Sequence, residues 1–346
     1  MRGEELTFLS DLHLGDGGPG DPFDDDEALV ALLDDLAAAS RAGAPARRLV
    51  LLGDTLDLVV SGASGHGARG ATAGMRRIAA AHGEVFAALR RATASGVRVE
   101  MVPGNHDPEL ALPAVREALL RLVGRARVRP WLLHVPGLVL AEHGQQYHAV
   151  NRFRGLAALA TGAARGLGPR PPAALYDALI ARRVAGRGWA RHVVGFAAAA
   201  PRLAVGLLRA GGEGDVNGGA EGLSAAVLAE LDAAAARSAA EDLVRVARVV
   251  AGRGGTASFA STLPGAAARV EAILARYSLA VPFYVCGHSH VAADVALAAA
   301  PHARYLNGGC WVPDRGLVTV GRTLDGVAYA RVERWDPGAR VRRRAA

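Results

Sequence analysis

Short apolar runs recur along the first 150 residues, and each is followed by a turn rich in polar side chains. Three of these runs, Leu6–Leu9, Arg48–Leu52 and Val97–Val102, have the length and aliphatic content of buried strands. Apolar residues recur with helical spacing over Ala28–Leu36 and again over Pro113–Val123. Strands and helices in alternation predict an α/β fold, in which sites form beyond the carboxyl ends of the strands.

The same pattern predicts the remaining elements. A single long helix is expected over Met75–Ser95, ended by Gly96. Val128–Val135 and Leu138–Ala141 predict a β-hairpin around Pro136-Gly137. Strand-like segments return after residue 280: Val281–Cys286, Ala303–Leu306, Leu317–Val320 and Val327–Trp335.

Residues 151–280 interrupt the α/β pattern with a sequence that is almost entirely helix-forming. We therefore predict a helical insertion, or cap, set into the α/β core. The expected division is a core of residues 1–150 together with 281–337, a cap of residues 151–280 and a basic tail of residues 338–346.

The charge balance favours an anionic partner. The 346 residues carry a formal net charge of +7, and the 40 basic residues are all arginine, for which genomic G+C bias is the alternative explanation. The segment Arg152–Arg209 holds many of these arginines and a single acid, Asp177, among apolar residues. Such a surface can lie on anionic lipid or bind a long apolar substrate; the alternative is an ordinary helical cap with its arginines in water.

Cysteine content and hydropathy narrow the class of protein. Two cysteines, Cys286 and Cys310, exclude a disulfide-rich scaffold and a cysteine-based structural zinc site. No apolar run reaches the roughly 18 residues of a spanning helix, because arginine interrupts each candidate. A polar motif at Ser10 leads us to expect no signal peptide. The expected location is cytoplasmic, with peripheral contact to the inner face of the membrane through residues 151–210 as a further expectation.

Five turns that follow apolar runs carry side chains that bind metal ions in proteins. They are Ser10-Asp11-Leu12-His13, Gly53-Asp54-Thr55-Leu56-Asp57, Gly104-Asn105-His106-Asp107, Glu142-His143-Gly144 and Gly287-His288-Ser289-His290. The candidate ligands in them are Asp11, His13, Asp54, Asn105, His143, His288 and His290. Mixed nitrogen and oxygen ligands suit Mn²⁺, Fe or Zn²⁺ better than Ca²⁺. Seven ligands are too many for one ion and fit two, with Asp54 shared.

His106 and Asp107 complete the candidate chemistry. Two cations about 3.5–4 Å apart clamp a phosphoryl group and lower the pKa of a bridging water, whose hydroxide attacks phosphorus. His106, next to the candidate ligand Asn105, is placed to protonate the leaving group as a general acid. Asp107 is expected to orient His106 or to cap the next turn, and Asp57 to have a structural role.

Taken in order, the five motifs resemble the calcineurin-like metallophosphoesterase superfamily. The resemblance covers residues 6–144 and 281–335, including Tyr305–Trp311, where Cys310 stands in place of the more usual Ser or Thr. It implies a four-layer α/β/β/α sandwich with a binuclear site at one edge and His106 as the proton donor. One ion would take Asp11, His13, Asp54 and His290, and the other Asp54, Asn105, His143 and His288.

Within the superfamily, the chain looks closest to UDP-2,3-diacylglucosamine diphosphatases, which hydrolyse a pyrophosphate on a lipid-bearing nucleotide sugar. On that basis the expected substrate-binding residues are Asn105, Tyr147, Asn151 and Arg152. Gln145 and His106 depart from that branch, so what carries over is hydrolysis of a phosphodiester or pyrophosphate, lipid- or nucleotide-linked. The alternatives are a DNA nuclease of the same superfamily and a binding scaffold without catalytic activity.

Overall fold

Two β-sheets lie face to face at the centre of the molecule. The computed structural model describes residues 4–42, 46–64, 67–149, 151–153, 156–160, 223–250 and 262–336. The first sheet contains six strands: β1 (Glu4–Leu9), β2 (Ala46–Leu52), β3 (Arg98–Val102), β4 (Ala126–Val128), β10 (Gly316–Arg322) and β11 (Ala328–Arg334). Their order is β11-β10-β1-β2-β3-β4. β1 to β4 run parallel, and β10 pairs antiparallel with β1.

The second sheet has its own set of parallel strands. It contains β5 (Leu132–Val135), β6 (Val139–Glu142), β7 (Phe283–Cys286), β8 (Ala293–Leu297) and β9 (Ala300–Asn307). Their order is β5-β6-β7-β9-β8, with β6, β7 and β9 parallel and the two edge strands antiparallel to their neighbours. β8 was not predicted from the sequence; the predicted hairpin turn between β5 and β6 is confirmed.

Helices cover the outer faces of both sheets. They are α1 (Asp26–Arg41), α2 (Gly67–Ala81), α3 (Gly83–Ala94), α4 (Pro113–Val123), α5 (Leu156–Ala160), α6 (Ala225–Val250) and α7 (Leu263–Arg276). Apolar side chains of α1 to α4 pack on the first sheet, and those of α6 and α7 pack on the second. A third apolar cluster lies between the sheets. The predicted four-layer α/β/β/α sandwich is therefore confirmed.

Strand β2 shows why apolar runs predicted the sheets. Leu49 and Leu51 face the helices, whereas Val50 and Leu52 face the other sheet. All four side chains are buried. Because side chains alternate between the faces of a strand, a parallel strand that is covered on both sides needs apolar residues at every position.

The described part of residues 151–280 supplies the fourth layer. α7 buries Val270 and Leu274 against the second sheet, where they meet Tyr284 and Tyr305. Residues 161–222, and with them most of the arginine-rich segment, lie outside the described residues, as do residues 251–261 and 338–346. The division into core, cap and tail therefore stays a prediction. Among the residues that the structure describes, no helix is both long enough and apolar enough to cross a membrane.

The helix predicted over Met75–Ser95 is wrong, because two helices, α2 and α3, meet at His82. The His82 imidazole is buried between two carboxylates, with Nε2 at 3.1 Å from Asp21 and Nδ1 at 2.7 Å from Asp26. Its backbone takes φ −108° and ψ 45°, which lies outside the helical region. These contacts come from a distant segment and interrupt a stretch with good helical spacing.

The strand predicted over Val128–Val135 is also wrong, because the chain crosses between the sheets within it. Arg129 stays with the first sheet, where its side chain donates a 2.6 Å hydrogen bond to Glu100. Trp131 belongs to the second sheet, where its indole nitrogen donates a 2.9 Å hydrogen bond to Glu142. One apolar run therefore holds the end of β4 and all of β5.

Candidate metal centre

The parallel strands of both sheets end at one edge of the sandwich, and the candidate ligands follow them directly. β1, β2 and β3 lead to Asp11, Asp54 and Asn105, and β6 and β7 lead to His143 and His288. Among the described residues, three groups have candidate ligand atoms within 4.8 Å of one another: Asp11–His13–His290, Asp54–His143–His288 and His13–Asp57–His106. The structure therefore brings together turns from distant parts of the chain. Ser10 in the first motif and His290 in the last are 280 residues apart.

Left-handed backbone is concentrated at the same edge. Seven described non-glycine residues have positive φ, and five of them are candidate ligands: Asp11 (56°), His13 (54°), Asp54 (50°), His288 (66°) and His290 (56°). Positive φ is rare in residues other than glycine, and each such residue lowers the stability of the fold by about 1–3 kcal/mol. Clustered strain of this kind is typical of a functional site that the surrounding fold holds in place.

Asp54 lies at the centre of the arrangement. Its Oδ1 accepts a 2.7 Å hydrogen bond from the backbone N–H of His106. Its Oδ2 lies 3.2 Å from His143 Nε2 and 3.9 Å from His13 Nε2. A side chain at Gly104 is excluded, because a Cβ there would lie 2.1 Å from Asp54 Oδ1. Asp54 therefore contacts a histidine from each of the first two groups.

Asp11, His13 and His290 form the more exposed group. Asp11 Oδ2 accepts hydrogen bonds from Ser10 Oγ at 2.5 Å and from the backbone N–H of His288 at 3.0 Å. Its Oδ1 lies 3.2 Å from His290 Nε2, which is in turn 3.3 Å from His13 Nε2. The His290 side chain is 47% exposed, so this group is open to solvent on one side.

Asp54, His143 and His288 form the more buried group. His143 donates a 2.9 Å hydrogen bond through Nδ1 to the carbonyl of Leu52, which leaves Nε2 facing Asp54. The rings of His143 and His288 lie 5.1 Å apart between centroids. Gly53 permits this packing: its φ is +85°, and a Cβ there would lie 2.3 Å from the His143 ring.

Asp57 holds two imidazoles at once. Its Oδ2 lies 3.1 Å from His13 Nδ1, and its Oδ1 lies 2.9 Å from His106 Nδ1. The opposite ring nitrogens face Asp54, at 3.9 Å for His13 and 4.0 Å for His106. The structural role expected of Asp57 is therefore specific: it sets the orientation of both rings.

Asp107 was expected to orient His106 or to cap the next turn, and in the structure its carboxylate has backbone partners in two turns. Its carboxylate accepts hydrogen bonds from the backbone N–H groups of Gly104 at 2.7 Å, Thr55 at 2.9 Å and Leu56 at 3.1 Å. Asp107 thus ties the turn after β3 to the turn after β2. It therefore supports the shape of the site through backbone hydrogen bonds.

Carboxylates and imidazoles in this cluster shift each other's pKa. Burial raises the pKa of Asp11 and Asp54, but neighbouring imidazoles, His143 first among them, outweigh burial and hold both below the usual value. Burial lowers the pKa of His143, and the carboxylates of Asp54 and Asp11 outweigh it and raise that pKa to about 10. For His106, burial lowers the pKa, and Asp54 and Asp57 raise it to about 9.

This donor set suits divalent cations. Two carboxylates, four imidazoles and the Asn105 amide supply oxygen and nitrogen in the mixture that Mn²⁺, Fe and Zn²⁺ accept. Asp11 and Asp54 are both buried to about 1% exposure, and the Asp54 carboxylate raises the pKa of both Asp11 and Asp107. Buried carboxylates this close need positive charge, which protonated histidines supply in the cation-free chain and bound metal would supply in their place.

The residues expected to contact substrate divide into two pairs. Asn105 is buried directly before His106, and Asn151 places its side-chain amide 3.1 Å from His288 Nε2. Asn105 and Asn151 therefore lie at the site, the former within the turn after β3.

Tyr147 and Arg152 have protein partners in the structure, and their contact with substrate stays a prediction. The Tyr147 hydroxyl donates a hydrogen bond to the buried Glu142 carboxylate, on the helix-facing side of the second sheet. The Arg152 guanidinium is buried and donates to the Asp232 side chain of α6 at 2.5 Å. Tyr147 is thus bonded to β6, and Arg152 to α6.

Two residues at the site carried no assigned role from the sequence. Asn307 donates from Nδ2 to the Gly287 carbonyl at 2.8 Å and so steadies the turn that carries His288; it lies in the Tyr305–Trp311 segment, whose resemblance to the superfamily was its only signal. The His148 ring lies 4.7 Å from the His288 ring and contacts Thr262 Oγ1 at 3.1 Å. No sequence signal identifies this last contact, because its partners are 114 residues apart.

Comparison with known proteins adds little to this geometry. No protein-family model matches the chain, and no curated protein matches it. Among solved structures, the chain is similar to a Staphylococcus aureus protein assigned as a 5′-nucleotidase, with 10% identity and a TM-score of 0.38 over 99% of this chain and 58% of that one.

Two further solved structures are similar at the same level. One is the sulfate thiohydrolase SoxB of Thermus thermophilus, with 14% identity and a TM-score of 0.37 over 96% of this chain and 56% of that one. The other is the phosphopantetheinyl hydrolase PptH of Mycobacterium tuberculosis, with 14% identity and a TM-score of 0.31 over 96% and 97%. The chain spans less than two thirds of the nucleotidase and of SoxB. Likenesses this distant carry no argument about activity, which rests on the site itself.

Proposed function

We propose that this protein is a metal-dependent phosphoester hydrolase of the calcineurin-like metallophosphoesterase type. The observation that carries the proposal is the position of Asp54, whose Oδ2 faces His143 on one side and His13 on the other. A carboxylate between two groups of histidines is what two ions about 3.5–4 Å apart require of a shared ligand. The seven candidate ligands are also more than one ion accepts, which likewise favours two ions.

In this proposal the two ions divide the seven ligands between them. One takes Asp11, His13, Asp54 and His290, and the other takes Asp54, Asn105, His143 and His288. Mn²⁺ is the expected metal, with Fe and Zn²⁺ as alternatives, because the ligands mix nitrogen and oxygen. When bound, the two ions neutralise the oxygens of a phosphoryl group and lower the pKa of a water molecule toward neutrality.

His106 is the proposed proton donor to the leaving group. Its Nδ1 is held by Asp57, and its Nε2 points to the side of the site where Asp54 lies. Asp54 and Asp57 raise the pKa of His106, which favours the protonated imidazole, and Asp57 is not among the proposed metal ligands. A protonated, oriented imidazole beside a phosphoryl site is suited to general acid catalysis, which contributes about 10²–10⁴-fold.

The proposed substrates are phosphodiesters or pyrophosphates, linked to a nucleotide or a lipid. The diphosphatase branch suggested by the sequence gains no support from Tyr147 and Arg152, because Glu142 and Asp232 engage them. Peripheral contact of residues 151–210 with anionic lipid also stays a proposal. Binding of the protein to anionic but not to neutral liposomes at low salt would support it, and indifference to lipid charge would remove it.

A metal-reconstituted assay tests the proposed function. The protein is stripped with chelator, reloaded with Mn²⁺, and assayed with bis(p-nitrophenyl) phosphate and with p-nitrophenyl phosphate. We expect turnover that depends on metal and is faster for the diester. Absence of metal-dependent turnover of either compound would count against an enzyme and favour the binding scaffold.

The role of His106 is tested by the leaving group. We expect His106→Asn to reduce kcat about 100-fold or more for a poor leaving group such as phenolate, because that oxygen needs a proton. For p-nitrophenolate, a much weaker base, the loss should be several-fold at most. Equal losses with both leaving groups would show that His106 serves another purpose.

A further inference from the structure

Three candidate histidine ligands each have a ring nitrogen beside a group outside the ligand set; in His143 and His13 it is the nitrogen opposite the one that faces Asp54. The Leu52 carbonyl holds His143 Nδ1 at 2.9 Å, and Asp57 holds His13 Nδ1 at 3.1 Å. For His288 the neighbouring group is the Asn151 side-chain amide, 3.1 Å from Nε2. Such partners fix the tautomer and the ring orientation of metal-binding histidines.

Asn151 is held in its position by its neighbours in the chain. Its backbone N–H donates to the His148 carbonyl at 3.2 Å. Beyond it, the backbone N–H of Phe153 donates to Gln146 Oε1 at 2.8 Å, and Gln146 Nε2 donates back to the Phe153 carbonyl at 3.0 Å. Hydrogen bonds within this loop therefore hold Asn151 beside His288. Asn151 is only 8% exposed.

We propose that Asn151 is a positioning residue that selects the tautomer of His288 and so the nitrogen that binds metal. The inference rests on the proposed function. A neutral imidazole has one N–H and one lone pair, and only the nitrogen with the lone pair binds a cation. If Asn151 Oδ1 accepts a hydrogen bond from Nε2–H, the lone pair lies on Nδ1, and Nδ1 is the metal ligand.

The amide geometry permits this bond. In the structure Nδ2 faces His288, and Oδ1 is buried with no hydrogen-bond partner among the described residues. The oxygen and nitrogen of an asparagine amide have nearly the same shape, so a half-turn of the amide exchanges them. The turned amide would accept from Nε2–H, and Nδ1 would then be free to hold a metal ion. The role is distinct from the substrate contact expected of Asn151 from the sequence.

A matched pair of variants tests the proposal through metal affinity. Asn151→Asp and Asn151→Leu both remove the amide nitrogen at nearly constant size, but only Asp keeps an oxygen that accepts from Nε2–H. We expect calorimetric titration of the chelator-stripped protein with Mn²⁺ to show two sites in the wild type. One of them should weaken about 10- to 100-fold in Asn151→Leu and retain wild-type affinity or better in Asn151→Asp.

The outcomes separate the two proposals. If the wild type binds no Mn²⁺, the proposed function fails. If the wild type binds two ions and Asn151→Leu binds both with unchanged affinity, the function stands and the role of Asn151 is refuted. Equal weakening in both variants would likewise refute it, because the oxygen then makes no difference.

A direct observation on the wild type covers the case in which Asn151→Leu does not fold. The protein is labelled with ¹⁵N-histidine and loaded with Zn²⁺, and NMR correlation of ring nitrogens with ring protons reports which nitrogen binds metal. The signals of His288 are assigned by their loss in His288→Gln. We expect a protonated Nε2 and a metal-bound Nδ1 for His288. Coordination through Nε2 would overturn the proposal.

Discussion

Two buried clusters of charged side chains in this protein differ in their side-chain types and in their backbone conformation. In the first, called the arginine cluster, Glu100 on β3 lies between Arg48 and Arg129, accepting from Arg48 Nε at 3.0 Å and from Arg129 Nε at 2.6 Å. All three are less than 10% exposed, and none has left-handed backbone. In the candidate metal centre, acids and imidazoles meet at strand ends, on backbone that is left-handed at five positions.

The two clusters also differ in how the charge of their carboxylates is compensated. The arginine cluster pairs one carboxylate with two permanent cations, so it is complete within the protein. The candidate metal centre brings two buried carboxylates, Asp11 and Asp54, among imidazoles whose charge depends on pH. It also concentrates backbone strain, which a fold tolerates where function requires it. We infer that the first cluster serves stability and the second serves binding of cations.

The largest expected effect is on activity. Asp54→Asn should reduce metal-dependent kcat about 1,000-fold, because the side chain loses the charge that both groups of ligands face. Circular dichroism of the variant should show native secondary structure. A variant that keeps more than a tenth of wild-type kcat would contradict the central position of Asp54.

The arginine cluster should show the reverse pattern. Glu100→Gln should lower the free energy of unfolding by about 3 kcal/mol, because it removes the buried carboxylate that the Arg48 and Arg129 guanidiniums share. Its kcat, measured well below the unfolding temperature, should remain within about twofold of wild type. Urea unfolding and the diester assay measure the two quantities, and a large loss of kcat would show that the clusters are coupled.

A smaller effect sharpens the comparison further. Replacing the whole arginine cluster by apolar residues, Arg48→Met with Glu100→Leu and Arg129→Met, should recover most of the stability that Glu100→Gln loses. Buried ion pairs are often replaceable in this way because their removal also removes the desolvation cost. A triple variant less stable than Glu100→Gln would show that the cluster does more than fill its space.

The smallest expected effect is a dependence on pH. Burial raises the pKa of Glu100, but Arg129 and Arg48 outweigh burial and lower it below its usual value. A depressed pKa in the folded state adds stability above the unfolded-state pKa, near 4.3, and that stability is lost as pH falls. The gap in unfolding free energy between wild type and Glu100→Gln should therefore stay nearly constant from pH 7 to about pH 5 and shrink as pH falls below about 4.3. A constant gap would contradict the assigned charge state.

Local sequence was sufficient for much of the fold and for the candidate ligands. Strands buried on both faces must be apolar throughout, and ligand side chains follow at their ends, so runs such as Arg48–Leu52 with Gly53-Asp54 are visible without a structure. The helix over Met75–Ser95 was mispredicted because Asp21 and Asp26, far away in the sequence, interrupt it at His82. Hydrophobic periodicity indicates the secondary structure that a segment prefers by itself, and it carries no information about contacts with distant residues.

What the sequence by itself determined is the inventory: an α/β sandwich with acids, an amide and imidazoles at the ends of its parallel strands. Only the tertiary structure decided which partner each side chain has. It placed Asp57 beside His106 and paired Arg152 with Asp232 of α6. The physical reason is that strand identity follows from neighbouring residues, whereas a hydrogen bond depends on distances of about 3 Å between atoms that the fold brings together from remote parts of the chain.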